Sequence, residues 1–288
     1  MGSDVANCPT SASNKKKKTC NRMKHISCIS IIFFLLLTAL MMLVSCKDRF
    51  PKFITTQEED TIQISATDFQ KIDASGYADI TFIQSDTYSI EASGNKDLLK
   101  YMHVKVSDHT LVIQFDNVIH VNNKYVKLRI QAPALEDLDI SGSCKFSLDI
   151  LNTQDFLLDV SGAAECRLNN LTCNKLGAEI DGAAQCEAVI YAKEATLDLS
   201  GAAQSQLDIA AERIGTDISG AHIATIHFEG TGCSAEASGA AELTLDLQCD
   251  DVVAEASGAA NVVLSGKCPS RSLDTSGAAS IHTERLNK

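Results

Sequence analysis

One four-residue unit, returning at near-constant spacing, constrains this chain more than any other feature. Aligned on its glycine it reads Asp139-Ile140-Ser141-Gly142, Asp159-Val160-Ser161-Gly162 and Glu179-Ile180-Asp181-Gly182. It continues as Asp198-Leu199-Ser200-Gly201, Asp217-Ile218-Ser219-Gly220, Glu236-Ala237-Ser238-Gly239, Glu255-Ala256-Ser257-Gly258 and Asp274-Thr275-Ser276-Gly277. Successive glycines lie 20, 20 and then five times 19 residues apart, and six of the eight are followed by Ala-Ala. A unit this short cannot enclose a core of its own, so it must bury its apolar side against copies of itself.

The periodicity inside the unit says how. Two and four residues before each glycine the positions are mostly apolar, as in Leu138 and Ile140, Leu158 and Val160, Leu197 and Leu199. The positions between them are polar. After the glycine, apolar residues resume at every second position, as in Cys166 and Leu168, Leu243 and Leu245, Val262 and Leu264. A period of two is a strand with one buried face, and helical spacing does not fit. A glycine between the two strands of every unit predicts a corner with positive φ, which glycine adopts without steric cost. The expected fold is all-β: a parallel β-helix, or β-solenoid, with about 19–20 residues per repeat. Its coils stack about 4.8 Å apart, and right-handed winding is expected because parallel crossovers favour it. Leucine-rich repeats share the period, but their Leu-Asn signature is missing.

The repeat divides the chain. Residues 135–288 carry it in regular form. Residues 62–134 are β-rich but looser, with Ile80 to Ile83, Val104 to Val106, Leu111 to Phe115 and Val126 to Ile130 as strands. They read as irregular N-terminal coils, with a helical turn at Lys96 to Met102 and a loop at Asp116 to Lys124; a separate small β-domain is the alternative. Ala74-Ser75-Gly76 and Ala92-Ser93-Gly94 are fainter echoes of the unit. The apolar run Ile29 to Val44 is short of the roughly 20 residues that a spanning helix needs. Behind a basic start, it reads as the core of a secretory signal over residues 1–45, with an uncleaved anchor as the other reading. Met23 is an equally good start. The run ends in Leu43-Val44-Ser45-Cys46, which resembles the lipobox of bacterial lipoproteins. There the signal is cut before the cysteine and the thiol carries lipid. Residues 46–61 are then the lipidated Cys46 and a polar tether, and the membrane is a partner through that anchor.

Beyond the signal, residues 46–288 keep 19 of the 25 basic and 36 of the 37 acidic residues, a net charge of −17. That excludes a general affinity for nucleic acid or anionic lipid. With no tryptophan in the chain, stacking platforms for sugars or bases are scarce.

Several segments together resemble the putative auto-transporter adhesin, head GIN domain family of exported Bacteroidetes proteins. They are Phe69-Gln70-Lys71-Ile72-Asp73-Ala74-Ser75-Gly76, Leu111-Val112-Ile113, Ile130-Gln131-Ala132-Pro133-Ala134-Leu135 and Leu138-Asp139-Ile140-Ser141-Gly142-Ser143, with the later Ser-Gly-Ala-Ala copies. The resemblance spans residues 62 to 288. It implies a β-helical lipoprotein of the cell envelope, placed in the outer membrane, and supplies no catalytic residues. Lys47-Asp48-Arg49 is a poor version of the acidic cluster that follows the acylated cysteine in many surface-displayed Bacteroidetes lipoproteins, so the face on which it is displayed stays open.

Three constellations are candidate sites. The position three before each glycine is acidic throughout: Asp139, Asp159, Glu179, Asp198, Asp217, Glu236, Glu255 and Asp274. Such a ladder offers carboxylate oxygens to Ca²⁺, the one cofactor the sequence suggests, but one carboxylate per coil gives few ligands per ion. A solvated face that keeps the solenoid soluble is the favoured reading. Cys166 and Cys186 share an inward column, and Cys249 and Cys268 share a column nine residues before the glycine. Adjacent coils are close enough for disulfides, yet stacked thiols also pack as small apolar groups, and packed free thiols are the favoured reading for each pair. The histidines do not cluster at ligand spacing. His222, in place of a corner alanine, reads as a surface or corner residue, and eight equivalent serines argue for structure rather than for one nucleophile.

The leading functional reading is a non-enzymatic, membrane-anchored binding, adhesion or scaffold module with an envelope protein or glycan as its ligand. A polysaccharide-active enzyme on a β-helix and a self-assembling scaffold resembling bactofilins are the alternatives. The lipobox is directly testable. Cys46→Ala is expected to abolish lipid labelling and to leave an unprocessed precursor, both read by metabolic labelling with a fatty-acid analogue; labelling that persists would refute lipidation at this residue.

Overall fold

The structure is a computed structural model that describes residues 58–116 and 125–287, together with the backbone of 52–53 and 118–119. The expected signal peptide and Cys46 lie outside the described residues, as do the tether up to residue 57 and loop residues 117–124 apart from the backbone of 52–53 and 118–119. Residues from Phe53 to Lys288 form one unit of the chain.

Alternation of apolar and polar residues produces the expected strands, two to a coil and one on each side of the glycine. Asp155–Val160 precedes Gly162, and Glu165–Thr172 follows it. In the first of these Phe156, Leu158 and Val160 are buried while Leu157 and Asp159 face outward. Each strand pairs in parallel with its equivalent in the next coil. Leu158 thus lies beside Ala178, Val160 beside Ile180 and Cys166 beside Cys186. Repetition of this register over about eight turns makes a β-solenoid whose interior is a set of apolar columns. Where the bend between coils disappears, two strands fuse, as in Gln204–Ile218 and Ile223–Ala237.

The corners follow from backbone geometry. Every repeat glycine has φ between 69° and 74°, in the left-handed region that a side chain disfavours. Space reinforces the choice: a Cβ on Gly201 would lie 2.6 Å from both the nitrogen and the oxygen of Gly182 below it. That proximity serves the ladder. The Ala202 amide donates to the Gly182 carbonyl at 2.7 Å, and the Ser200 amide donates to the Ile180 carbonyl at 2.8 Å. Hydrogen bonding between coils therefore runs through the corner without a break, leaving those peptide groups satisfied.

The stack does not begin in chain order. Lys71–Gly76 pairs in parallel with Asp137–Gly142, so that Asp73 lies beside Asp139 and Gly76 beside Gly142. The faint echo at Ser75-Gly76 is thus a complete coil, continued by Ala78–Gln84 beside Lys145–Leu148. The chain between these coils folds out over the other side of the first. Thr110–Phe115 and Val126–Ala132 add a further parallel layer there. Met102–Ser107, Ser89–Asn95 and Glu59–Ile64 then close the end by antiparallel pairing. A short helix, Lys96–Tyr101, buries Leu98 and Leu99; the Asn95 side chain caps it by accepting from the Asp97 and Leu98 amides. The segment expected to supply irregular coils therefore supplies one regular coil and a cap. At the other end of the stack Ser270–Thr275 is exposed at all six positions.

The corner geometry predicts the cost of filling it. Gly201→Val, in mid-stack, is expected to lower stability by about 1–3 kcal/mol through backbone strain, with steric overlap against Gly182 adding to it. Equilibrium denaturation compared with wild type measures the loss, and unchanged stability would mean that the corner tolerates a side chain.

Candidate functional site

The acidic column is the most regular outward feature of the molecule. Strand register places Asp139 beside Asp159, Asp159 beside Glu179, and so on through Asp198, Asp217, Glu236, Glu255 and Asp274. Asp73 extends it by one coil beneath Asp139. Sequence spacing hid that ninth member, because 66 residues separate it from Asp139; the Ala74-Ser75-Gly76 echo was its signal. Adjacent carboxylates about 5 Å apart repel by roughly 1 kcal/mol in water and more where water is displaced.

That difference is visible along the column. The Asp139 carboxyl is pushed up to about 6, first by burial and then by the charges of Asp159, Asp73 and Asp137. Burial likewise raises Asp159, with Asp181 and Asp137 adding to it. Both line a groove of about 420 Å³ with Asp137, Leu157, Glu179 and Asp198. Leu157 remains 57% exposed at this end, and its Cδ2 lies 3.1 Å from where a Cβ on Gly177 would sit. Beyond it the column beside the acids is small: Gly177, Thr196, Gly215 and Ser234 follow in register before Val253. The outer flank is mixed in sign, with Lys175 3.6 Å from Glu194 and Arg213 in the next coil. Outward chemistry is therefore a shallow channel with small residues on its floor and one uniformly acidic wall.

The opposite strand face is balanced by contrast. Lys127, Asp79, Lys145 and Glu165 alternate in sign along one column. Lys145 reaches Glu165 at 2.7 Å, and Arg167 in the neighbouring column reaches Glu187 at 2.9 Å. Tyr125 lies 5.4 Å from the Lys145 ammonium. With Glu59, Asp60, Asp79 and Lys127 it also lines a concavity of about 700 Å³ at the capped end. Among the described residues, no group of three or more His, Cys, Asp or Glu side chains is placed to hold one metal ion. A cation on the acidic column would be held by single carboxylates of successive coils and by water.

His222 differs from its expected setting. It stands at a corner but is fully buried, in the column of inward alanines that includes Ala203 and Ala241. Its Nδ1 lies 2.9 Å from the Ser200 carbonyl and its Nε2 2.9 Å from Ser205 Oγ. A carbonyl only accepts, so Nδ1 carries the proton and Nε2 accepts from the serine. Burial lowers the His222 pKa, opposed by the Ser200 bond and the Asp181 charge. Buried with Ser205, this pair fills the interior rather than meeting a substrate. Its local signal was the departure from Ala-Ala, which does not say which way the side chain turns.

Stacked parallel coils with glycine corners and an acidic residue repeated at one outward position define the class as a β-solenoid. The chain belongs to the putative auto-transporter adhesin, head GIN domain family, whose model matches residues 68–227. No curated protein matches it. A crystal structure of a putative adhesin from Parabacteroides merdae superposes with a TM-score of 0.69 at 18% identity, covering 82% of this chain and all of that one. A putative lipid binding protein from Parabacteroides distasonis gives the same TM-score, identity and coverage of both chains. A putative adhesin from Bacteroides fragilis gives 0.62 at 20% identity, covering 79% of this chain and 97% of that one. At these identities the likeness is one of fold.

The raised Asp139 carboxyl makes a signed prediction. Its folded pKa of about 6 exceeds the ordinary 3.8, so the folded chain binds this proton more tightly than the unfolded chain. The ionised carboxylate destabilises the fold above pH 6, and the penalty disappears as pH falls towards 3.8. Asp139→Asn is therefore expected to raise the melting temperature at pH 8 and to match wild type near pH 4. An advantage independent of pH would rule out charge as its cause. His222 acts oppositely: its lowered pKa means stability present above about pH 6.5 and lost below it, and the comparison with Asp139→Asn cancels that contribution.

Proposed function

We propose that this chain is a non-enzymatic binding module of the cell envelope, tethered through lipid on Cys46 and engaging an extended partner along the acidic channel. The observation that carries this reading is the in-register column of nine carboxylates, four of which lie beside the small floor residues Gly177, Thr196, Gly215 and Ser234. It is a continuous face rather than a single cavity. Membership in an adhesin family supports an envelope or surface location. The structures of like fold bear the names adhesin and lipid binding protein, both binding rather than catalytic descriptions.

The chemistry of the channel favours one kind of partner. Like charges held one coil apart are relieved by counterions, bound Ca²⁺ or cationic groups of a ligand. An envelope protein or glycan carrying a row of positive groups meets that need and releases counterions as it binds. Gly177 and Gly215 let such a chain approach the backbone, and their neighbours Thr196 and Ser234 offer hydroxyls. Attraction of this kind is long-ranged at low ionic strength and is largely screened beyond a Debye length of about 8 Å at physiological salt.

The test uses immobilised lipid-free protein, residues 47–288, against a cationic glucosamine polymer, a neutral glycan polymer and polylysine. Binding to cationic polymers is expected, weakening as salt rises. The triple variant Asp159→Asn, Glu179→Gln, Asp198→Asn should bind at least about tenfold more weakly, a loss of 1.4 kcal/mol or more. Equal binding by wild type and variant, or a preference for the neutral glycan, would overturn the acidic channel as the binding face.

A further inference from the structure

All seven cysteines among the described residues are buried free thiols, but they are not equivalent. Cys249 and Cys268 occupy the corner opposite the glycines, in successive coils, immediately after the paired residues Gln248 and Lys267. Their sulfur atoms are 3.0 Å apart. The two side chains are set alike: Cys249 Sγ lies 3.5 Å from the Asp251 carbonyl and Cys268 Sγ 3.4 Å from the Ser270 carbonyl. Equivalent residues of adjacent coils have Cα atoms about 4.8 Å apart, inside the range that a disulfide spans.

The position matters as much as the distance. The other end of the stack is closed by antiparallel strands and a helix. Beyond Cys268, by contrast, Ser270–Thr275 is exposed throughout, and Leu273, in the inward column of Ala254, is 37% exposed. Among the described residues the last coil pairs with a neighbour on one side, and few of its side chains are buried. Local opening concentrates in such segments.

We infer that Cys249 and Cys268 form a disulfide that staples the last described coil to its neighbour and serves as the cap which the apolar core does not provide there. The oxidant is a small-molecule or protein disulfide. One cysteine thiolate attacks it, forming a mixed disulfide and releasing one thiol. The second cysteine then attacks the mixed disulfide, closing the Sγ–Sγ bond and releasing the other thiol. Each cysteine proton ends on a departing sulfur, so two thiols are oxidised as one disulfide is reduced. Burial raises the Cys249 thiol well above its ordinary range and keeps thiolate scarce once the coil has docked. Closure therefore belongs to folding, before these sulfurs are covered. Its occurrence in the cell rests on the envelope reading, because disulfides persist in oxidising compartments; the pairing geometry does not.

The full chain, reduced and unfolded in guanidinium, is refolded with glutathione disulfide or with reduced glutathione alone. The oxidised sample is expected to yield a proteolytic product linking the peptides that contain Cys249 and Cys268. Amide exchange over residues 270–287 should be slower by at least about tenfold than in the reduced sample. Cys268→Ser should lose both effects, whereas Cys166→Ala with Cys186→Ala should keep them. The wild-type comparison stands alone should either variant fail to fold. Absence of the link, a link through the nearby Cys233 instead, or unchanged exchange in linked protein would overturn the staple. Thiols alkylated in growing cells and found free, with pairing intact in vitro, would count against the envelope reading and not against the geometry.

Discussion

Everything in this molecule depends on the close approach of backbone to backbone at the glycine corner. A coil of 19 or 20 residues turns twice, and at one of those turns its peptide groups must stay paired with the coil below. Gly201 above Gly182 shows the requirement: space for a Cβ is gone, yet the flanking amides of Ser200 and Ala202 both donate downward. Positive φ and missing side chain are two demands made by one position, and glycine meets both. Once the corner repeats, parallel register follows, and register in turn aligns every inward and outward column.

Alignment has consequences on both sides of the sheet. Inside, it stacks like upon like, which suits Ala, Leu, Ile and Cys and tolerates His222 only because Ser200 and Ser205 satisfy both ring nitrogens. Outside, the same rule stacks charge upon charge. The strand face after the glycine avoids self-repulsion by alternating Lys127, Asp79, Lys145 and Glu165. The face before it does not alternate. Its nine acids share one sign, and at Asp139 burial first, with the charges of Asp159, Asp73 and Asp137 adding to it, raises the carboxyl. Carboxylates whose ionised form costs the fold stability, as at Asp139 and Asp159, are a reason to look for function on that face.

The two ends of a stack pose a different problem, because each terminal coil lacks one neighbour. At the start, chain from Tyr88 to Ala132 returns over the first coil and covers it with antiparallel strands and the helix capped by Asn95. At the last described coil no cover is found among the described residues, and the inward positions of Ser270–Thr275 are exposed. The proposed stapling pair Cys249 and Cys268 lies at the corner where that coil begins.

Several features were determined by the sequence alone. The 19-residue spacing and the period of two specified strands, the inward columns, the glycine corners and the acidic ladder from Asp139 to Asp274, because these are local and repeated. What happens once was not legible. A period of two says which face is buried but not which strand is the partner or in which direction it runs, so the capping strands Glu59–Ile64, Ser89–Asn95 and Met102–Ser107 looked like irregular coils. Asp73 joins the acidic column only because the chain leaves and returns across 66 residues. His222 turns inward because Ser205 awaits it one coil below, a contact between residues 17 apart. The 3.0 Å between Cys249 and Cys268, against shared spacing alone, likewise belongs to the tertiary structure, since side-chain rotamers at a corner answer to neighbours in space.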